Sequence, residues 1–307
     1  MADLTNPIVE QLPDYVEQRA MPLLRQGLLG GDSLKNMHIQ TGIKGTASIN
    51  YLSVSAELAD GSECGFNPSG DDEFTQREIA TGQIKIEKEW CFKNLIGKYT
   101  EYAFRIGANS EADNFCFEQD FMDGVMESVA DEVEYEVWNA SVDGGNQFDG
   151  LLTILDAESA STVNVDVESG ASAYEAVKQV VLAIPEIVIK KGDARVLVSP
   201  ELYRQLGLEL MEKNLFHYDY NNGAATDDIV LFPGTNIKVQ KVNGLSGTGK
   251  IVAARWDNLY AGMDLENGME QVRVWFNNDN ETFRLRIYFN LGTQVAFPSE
   301  VVVATLA

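Results

Sequence analysis

Histidine, cysteine and long apolar runs are scarce in this chain, and each scarcity excludes a class of function. The two histidines, His38 and His217, leave little material for catalytic triads or metal clusters. Cys64, Cys91 and Cys116 form an odd set without CxxC spacing, so neither a disulfide framework nor a zinc site is indicated. No apolar stretch approaches the roughly 18 residues that a membrane-spanning helix requires. Met1 to Pro7 shows no basic region leading into an apolar run, so no secretory signal is read there. The chain reads as soluble and cytoplasmic. Basic residues are also in short supply, with 23 Lys and Arg against 47 Asp and Glu and a formal net charge of -24. Affinity for nucleic-acid phosphates comes from Lys and Arg, so nucleic-acid binding as the main task is disfavoured.

The scarcity of cations is concentrated. Between Arg105 and Lys178 there is no Lys or Arg, while residues 106–177 hold 17 Asp or Glu. A solvated acidic face that confers solubility is the plain reading. Two sharper ones are compatible with it: the face meets basic groups of a neighbouring subunit, or it lines an interior that must not adhere to DNA.

What the sequence does contain is enough apolar residue, 45% of 307, to bury a core shared by two packed subdomains. The clearest element runs from Phe115 to Trp138. Phe121, Val125, Val129, Val133 and Val137 recur at four-residue spacing, with Met122, Met126 and Ala130 beside them, which predicts an amphipathic helix about 36 Å long. Asp113 or Asn114 is placed to cap its start. Asp131, Glu132, Glu134 and Glu136 crowd its last turns, where the helix dipole disfavours anions, so positive groups are expected to dock there.

Ahead of the helix, Thr46 to Leu58 alternates as a strand whose apolar phase flips between Tyr51 and Leu52, predicting a bulge or bend. Ile84, Ile86, Trp90 and Phe92 alternate on what is read as the returning side, across the turn-rich segment 60–73. A two-stranded ribbon is marginal alone in water, so it is expected to pack on something. A neighbouring copy is the natural support; the plain alternative is a hairpin folded back on its own domain.

The second half reads as α/β and then β-rich. Ser172 to Glu175 has the form of a capping box opening a helix with Tyr174, Val177, Val181 and Ile184 on its apolar face, ended by Pro185. Residues 195–198 read as a buried strand. Ser199 and Pro200 start a helix that buries Leu202, Leu206 and Leu210. Phe232 to Gly234 is a turn. Residues 237–242, 250–254, 270–276 and 282–289 are strand candidates, with Asn277 to Asn280 turning the last hairpin.

Motifs for chemistry mostly fail on inspection. Gly244 to Lys250 resembles a phosphate-binding loop, but Ile251 stands where a magnesium-holding Ser or Thr belongs and a strand follows instead of a helix. A glycine-rich hairpin turn is the expected role. His217 sits among Phe216, Tyr218 and Tyr220, an aromatic cluster read as a packing seam. Asp71, Asp72 and Glu73 are read as solvated rather than as a calcium site. No catalytic, cofactor-binding or metal-binding residue is assigned, and no enzyme activity or cofactor is expected.

The order of these elements resembles the tailed-phage major capsid fold, the Hong Kong phage fold shared with encapsulins. The resemblance implies an α+β chain with an N-terminal arm at 1–42 and an extended β-hairpin loop at 43–92. A peripheral domain with a long spine helix would follow at 93–150, and a mixed α/β axial domain at 151–267. A peripheral-domain hairpin would occupy 268–292, and 293–307 would return as a strand to the axial domain. Phrases such as Ala183-Ile-Pro-Glu186, Val196-Leu-Val-Ser-Pro-Glu-Leu-Tyr203, Phe232-Pro-Gly-Thr235, Asp257-Asn-Leu-Tyr-Ala-Gly-Met-Asp264 and Gly292-Thr-Gln-Val-Ala-Phe-Pro298 are similar to capsid proteins of phages that infect Bacteroidetes. The resemblance implies self-assembly as hexamers and pentamers into an icosahedral virion shell, built in the host bacterial cytoplasm. That shell would enclose DNA without sequence-specific binding and without a membrane. The chain begins almost directly at the arm, so the expected partners are a separate scaffolding protein and a portal. Lys85 and Lys88 lie in the ribbon region, but no Asn partner is identified, and intersubunit cross-linking is not expected. An encapsulin-like nanocompartment shell is the alternative within the same fold.

Overall fold

In a computed structural model, which describes residues 7–43, 45–53, 73–95, 97–98, 117–168, 170–213, 229–264 and 272–306, two hydrophobic cores organise the chain. The first lies between a pair of long helices and a mixed sheet. Helix α1 (Pro7–Leu29) buries Leu12, Val16, Ala20, Leu23, Leu24 and Leu28, spaced at three and four residues. Its backbone leaves helical geometry at Arg19, three residues before Pro22. That is where a proline ring, lacking an N–H and crowding the preceding turn, breaks a helix. A short helix α2 (Asp32–Asn36) follows, and then strand β1 (His38–Thr41).

The spine helix α3 (Phe117–Asn139) packs along α1. Met122, Met126, Val129, Val133, Val137 and Trp138 face the core, while Phe121 and Val125 are only half-buried. The buried stripe is thus rotated slightly from the predicted one towards its methionine edge. Gly27 of α1 lets the two helices approach, because a Cβ there would lie 3.3 Å from Met126 Sδ and Val129 Cγ1. At about 1.5–3 kcal/mol per fully buried large apolar side chain, this seam is a principal source of the first core's stability.

The sheet under these helices is built on β12 (Thr282–Val295), about 48 Å long at 3.4 Å per residue. One end pairs with β11 (Val272–Asn277) on one side and β4 (Gly82–Cys91) on the other; the far end pairs with β10 (Leu259–Asp264), which carries β1 in parallel. The turn from β11 to β12 lies where the Asn277–Asn280 segment predicted it, with Glu281 at φ 51°.

The second core covers a six-stranded sheet ordered β5-β13-β9-β6-β8-β7. Its strands are β5 (Val163–Val167), β6 (Arg195–Val198), β7 (Ile229–Leu231), β8 (Lys238–Lys241), β9 (Lys250–Ala254) and β13 (Val302–Leu306). A short helix α4 (Leu151–Ala157) joins the first core. Helix α5 (Ala173–Ala183) is capped by Ser172, whose Oγ accepts from the Glu175 N–H at 3.3 Å. Helix α7 (Pro200–Glu212) is capped by Ser199 and buries Leu202, Leu206 and Leu210 as its spacing predicted. Between them lies the short α6 (Glu186–Lys191). The Glu209 carboxylate on α7 accepts from the Ala173 and Tyr174 N–H groups at 3.0 and 2.9 Å, tying one helix to the open start of the other.

Three sequence expectations are corrected. The strand returning from the ribbon is β3 (Glu73–Ala80), which pairs with β2 (Thr46–Ser53); Ile84, Ile86 and Trp90 instead belong to β4, an edge of the first sheet. The β2–β3 ladder runs unbroken through Tyr51↔Thr75 and Leu52↔Phe74, so there is no bulge at the phase flip. Gly244 to Lys250 is not a hairpin turn, because β8 and β9 both pair with β6, which lies between them.

Candidate functional site

The described residues form several candidate surfaces, and the ribbon is the first of them. Its base is fixed by a small apolar cluster of Ile43, Ile49 and Ile79. Gly262 and Gly292 make room for it: a Cβ at Gly262 would lie 2.7 Å from Ile79 Cγ2, and one at Gly292 would overlap the Ala80 carbonyl. Arg77 on β3 then ties the ribbon to the body. Its two terminal nitrogens donate to Glu158 at 2.8 and 2.5 Å, and one also donates to the Val295 carbonyl at 3.0 Å. The guanidinium fork matches the carboxylate, which makes this the more specific kind of ion pair.

The spine helix is the second surface. A groove between α1 and α3 is lined by Gln26, Gly30, Asp123, Gly124, Glu127 and Asp131, with no basic side chain among the described residues that line it. At the end of α3, Glu134 and Glu136 find neutral partners among the described residues. Glu134 is buried and accepts from both the N–H and the hydroxyl of Ser33, at 3.0 and 2.5 Å. Trp138 Nε1–H donates to the same hydroxyl at 2.7 Å. Glu136 accepts from Asn146 Nδ2 at 2.5 Å. Burial pushes both carboxyls above the ordinary glutamate value of 4.5, opposed at Glu134 by the Ser33 bonds and reinforced at Glu136 by the charge of Glu132.

The third surface is apolar and belongs to the helices of the second core. Leu182, Ile187, Ile189, Leu208 and Met211 are all more than half exposed, on the helix faces turned away from the sheet. The fourth is the outer face of the β11–β12–β4 strands. There Glu87 pairs with Lys85 and Arg286, and Glu89 pairs with Arg284, at 2.9–3.0 Å. Its signal was present in the period-two spacing of Arg273 with Trp275 and of Arg284 with Arg286, which the strand assignment passed over.

The residues weighed for chemistry fall in separate places. Lys250 opens β9 and holds Asp156 with an ion pair at 2.5 Å, and Gly244 wedges against Trp138 and Glu134. The phosphate-loop look of that segment thus serves packing and turning. His38 lies 4.6 Å from Tyr260, ring centre to ring centre. Cys91 is exposed and free. Lys85 is paired with Glu87, and Lys88 is exposed on β4. His217 and its aromatic neighbours, Asp71 and Asp72, Cys64, Cys116, and the candidate caps Asp113 and Asn114 lie outside the described residues. Among the described residues, no group of three or more His, Cys, Asp and Glu side chains is placed to hold a metal ion. No described helix is long and apolar enough to cross a membrane.

This α+β arrangement is the tailed-phage major capsid fold. The chain is similar over 98% of its length to 98% of a chain in the satellite phage P4 procapsid, in a structure that includes the size determination (Sid) protein, with a TM-score of 0.61 and 11% identity. A chain of Gordonia phage Cozz matches over 90% of this chain and 86% of its own, at TM-score 0.56 and 14% identity. A virus-like particle from Pyrococcus furiosus matches over 94% and 98%, at TM-score 0.52 and 11% identity. No protein-family model and no curated protein matches the chain.

Proposed function

We propose that this chain is a shell subunit, the major capsid protein of a tailed bacteriophage, assembling as hexamers and pentamers into an icosahedral virion shell around DNA. The observation that carries the reading is whole-chain likeness to a chain of a procapsid, with 98% of each covered. The anchored ribbon supports it: two strands held at the base by Arg77 and Ile79 need a further surface to pack on, and a second copy supplies one. On this reading residues 1–42 form the arm, 43–92 the extended loop, and 93–150 with 268–292 the peripheral domain. Residues 151–267 with the 293–307 strand form the axial domain. The acidic spine helix suits a wall to which DNA does not adhere, and the chain carries out no catalysis. Its partners are further copies of itself, a separate scaffolding protein and a portal. The phrases between Ala183 and Pro298 favour a phage of Bacteroidetes, with assembly in that host's cytoplasm.

An encapsulin-like compartment is the second reading, favoured by the likeness to the Pyrococcus furiosus particle. Negative-stain electron microscopy of the purified chain across a concentration series tests the proposal. Closed shells, or rings of five and six subunits, support it. A monodisperse monomer or dimer at every concentration, with or without co-expressed scaffolding protein, counts against it. DNA, portal and tail proteins in shells recovered from infected cells favour the phage reading, and an enzyme cargo favours the compartment.

A further inference from the structure

Strand β4 is an edge of the first sheet: among the described residues it pairs with β12 and with no other strand. An open edge presents unpaired N–H and C=O groups and is a template for a further strand. A groove of about 540 Å³ lies against it, and every residue from Gln83 to Glu87 lines that groove. A hollow in one face of a strand touches alternate residues, because successive side chains point to opposite sides. Five lining residues in succession therefore place the groove beside the backbone edge itself. Glu132, Val133 and Glu136 of α3 wall it on the helix side. At 3.4 Å per residue, the lined run is about 17 Å long, enough for a short strand.

The side chains of this edge complement themselves. Ile84, Ile86 and Trp90 pack on the first core, so Lys88 shares their face, the side of α3, where it is exposed. Lys85 and Glu87 point to the outer face. Let β4 pair antiparallel with β4 of a second copy, with Ile86 opposite its own counterpart. Lys85 then lies opposite the partner's Glu87, and Glu87 opposite the partner's Lys85. Opposite charges across neighbouring strands stabilise the pairing, and like charges oppose it. Centring the pair on Lys85 or on Glu87 would set two like charges against each other, so the charges choose the register. In the chosen register Lys88 lies opposite the partner's Ile84 and reaches towards the partner's Glu132 and Glu136. Neither of those carboxylates makes an ion pair among the described residues, and Glu136 accepts only from the neutral Asn146. Charged residues on an edge guard it against indiscriminate pairing. Here their order also admits one particular strand.

We propose that the open edge of β4 pairs with β4 of a second copy across a two-fold axis at Ile86, an inference that rests on the shell-subunit reading. The first sheet then continues from one subunit into the next. Such a contact uses the same patch on both copies, whereas the contacts that close a ring of five or six run head to tail. The β4 pairing therefore joins subunits of different rings. Glu87 keeps Arg286, at 3.0 Å, while Lys85 changes from its own Glu87 to the partner's.

The test uses the full chain assembled with its scaffolding protein, with the exposed Cys91 replaced by serine throughout. Ile86→Cys sets two thiols opposite each other at the axis, within the reach of a disulfide. Mild oxidation of its shells should give covalent dimers in non-reducing gels, and Ile84→Cys, whose opposite residue is the partner's Lys88, should not. Lys88→Glu is expected to raise the concentration needed for assembly about tenfold at low salt, an effect that shrinks as salt screens the contact. Its circular dichroism and melting temperature should match wild type, and Glu132→Lys in the same chain should restore assembly. Shells in which Ile86→Cys yields no more dimer than Ile84→Cys overturn the proposal and leave the shell reading intact. So does normal assembly of Lys88→Glu, or a loss that Glu132→Lys fails to rescue. A disulfide from Ile86→Cys to a different protein of the particle assigns the edge to that protein and also overturns it. A wild-type chain that forms no shell or ring removes both readings together.

Discussion

Glu134 and Ser33, 101 positions apart, form a closed pair at the end of the spine helix: the Ser33 N–H and hydroxyl donate to the two oxygens of one buried carboxylate. Trp138 donates to the same hydroxyl, so the start of α2, the end of α3 and the core are joined through one serine. Removing the hydroxyl strands both a buried carboxylate oxygen and an indole N–H. Ser33→Ala is therefore expected to lower unfolding free energy by about 2–3 kcal/mol, since hydrogen bonds to charged groups are worth more than neutral ones. Chemical denaturation of the unassembled chain measures it, and a change below a few tenths of a kcal/mol would mean the network is dispensable.

The same carboxyl makes a prediction about pH. Burial raises Glu134 above its ordinary value of 4.5, so the folded state holds this proton more tightly than the unfolded state does. Asp32 pushes in the same direction, and the Ser33 bonds oppose it. A carboxyl raised in this way leaves the fold unpenalised at pH below its unfolded pKa. Its penalty grows as pH rises from there through the folded value. The melting temperature of wild type relative to Glu134→Gln should fall as pH is raised from 4 to 8. A flat or rising difference contradicts the assignment.

Gly244 gives a steric prediction. A Cβ there would overlap Trp138 Cδ1 and lie 2.5 Å from the Glu134 carbonyl oxygen, and Trp138 is fully buried. Neither neighbour is the free end of a flexible chain. Overpacking of this kind costs about 1–3 kcal/mol, which Gly244→Ala should show in denaturant midpoints with an unchanged slope. Gly247→Ala, three residues later, fails for a different reason, a φ of 71° with open space around it, and should cost less.

Much of this architecture was legible because its signals are local. The spine helix declared itself through four-residue spacing, and Ser172 and Ser199 through their capping patterns, all of which depend on neighbours within one turn. What was missed depends on partners far away. The alternation of Ile84, Ile86 and Trp90 tells which side of a strand is buried but not which strand lies beside it, so β4 was assigned to the ribbon instead of β12. Helix α1 had the right apolar spacing, yet Pro13 and Pro22 speak against a helix locally, and packing along α3 overrides them. The carboxylates at the end of α3 looked like a cation site because a neutral serine 101 positions upstream leaves no trace in the local pattern.

Arg77 supplies the last prediction, because it separates the stability of the subunit from the aim of its ribbon. The residue leaves β3, spans to Glu158 with two bonds and to the Val295 carbonyl with a third, and is about one-fifth exposed. The cores do not depend on it: Ile79 and Ile49 remain packed at the ribbon base. Replacing the side chain with alanine leaves Glu158 partly exposed to water, so the loss of unfolding free energy should stay near about 1 kcal/mol. The direction of the ribbon, in contrast, is set where β3 meets the body, by this fork and by Gln294 Nε2–H, which donates to the Glu78 carbonyl at 2.8 Å. Arg77→Ala should therefore be cut faster by protease within residues 46–80 than wild type. It should also assemble poorly at concentrations where its far-ultraviolet spectrum and melting curve are nearly native. Arg77→Lys retains the charge but not the fork, and should recover little of the assembly. If Arg77→Ala instead assembles like wild type while losing several kcal/mol of stability, the arginine belongs to the core of the subunit and not to the positioning of the ribbon.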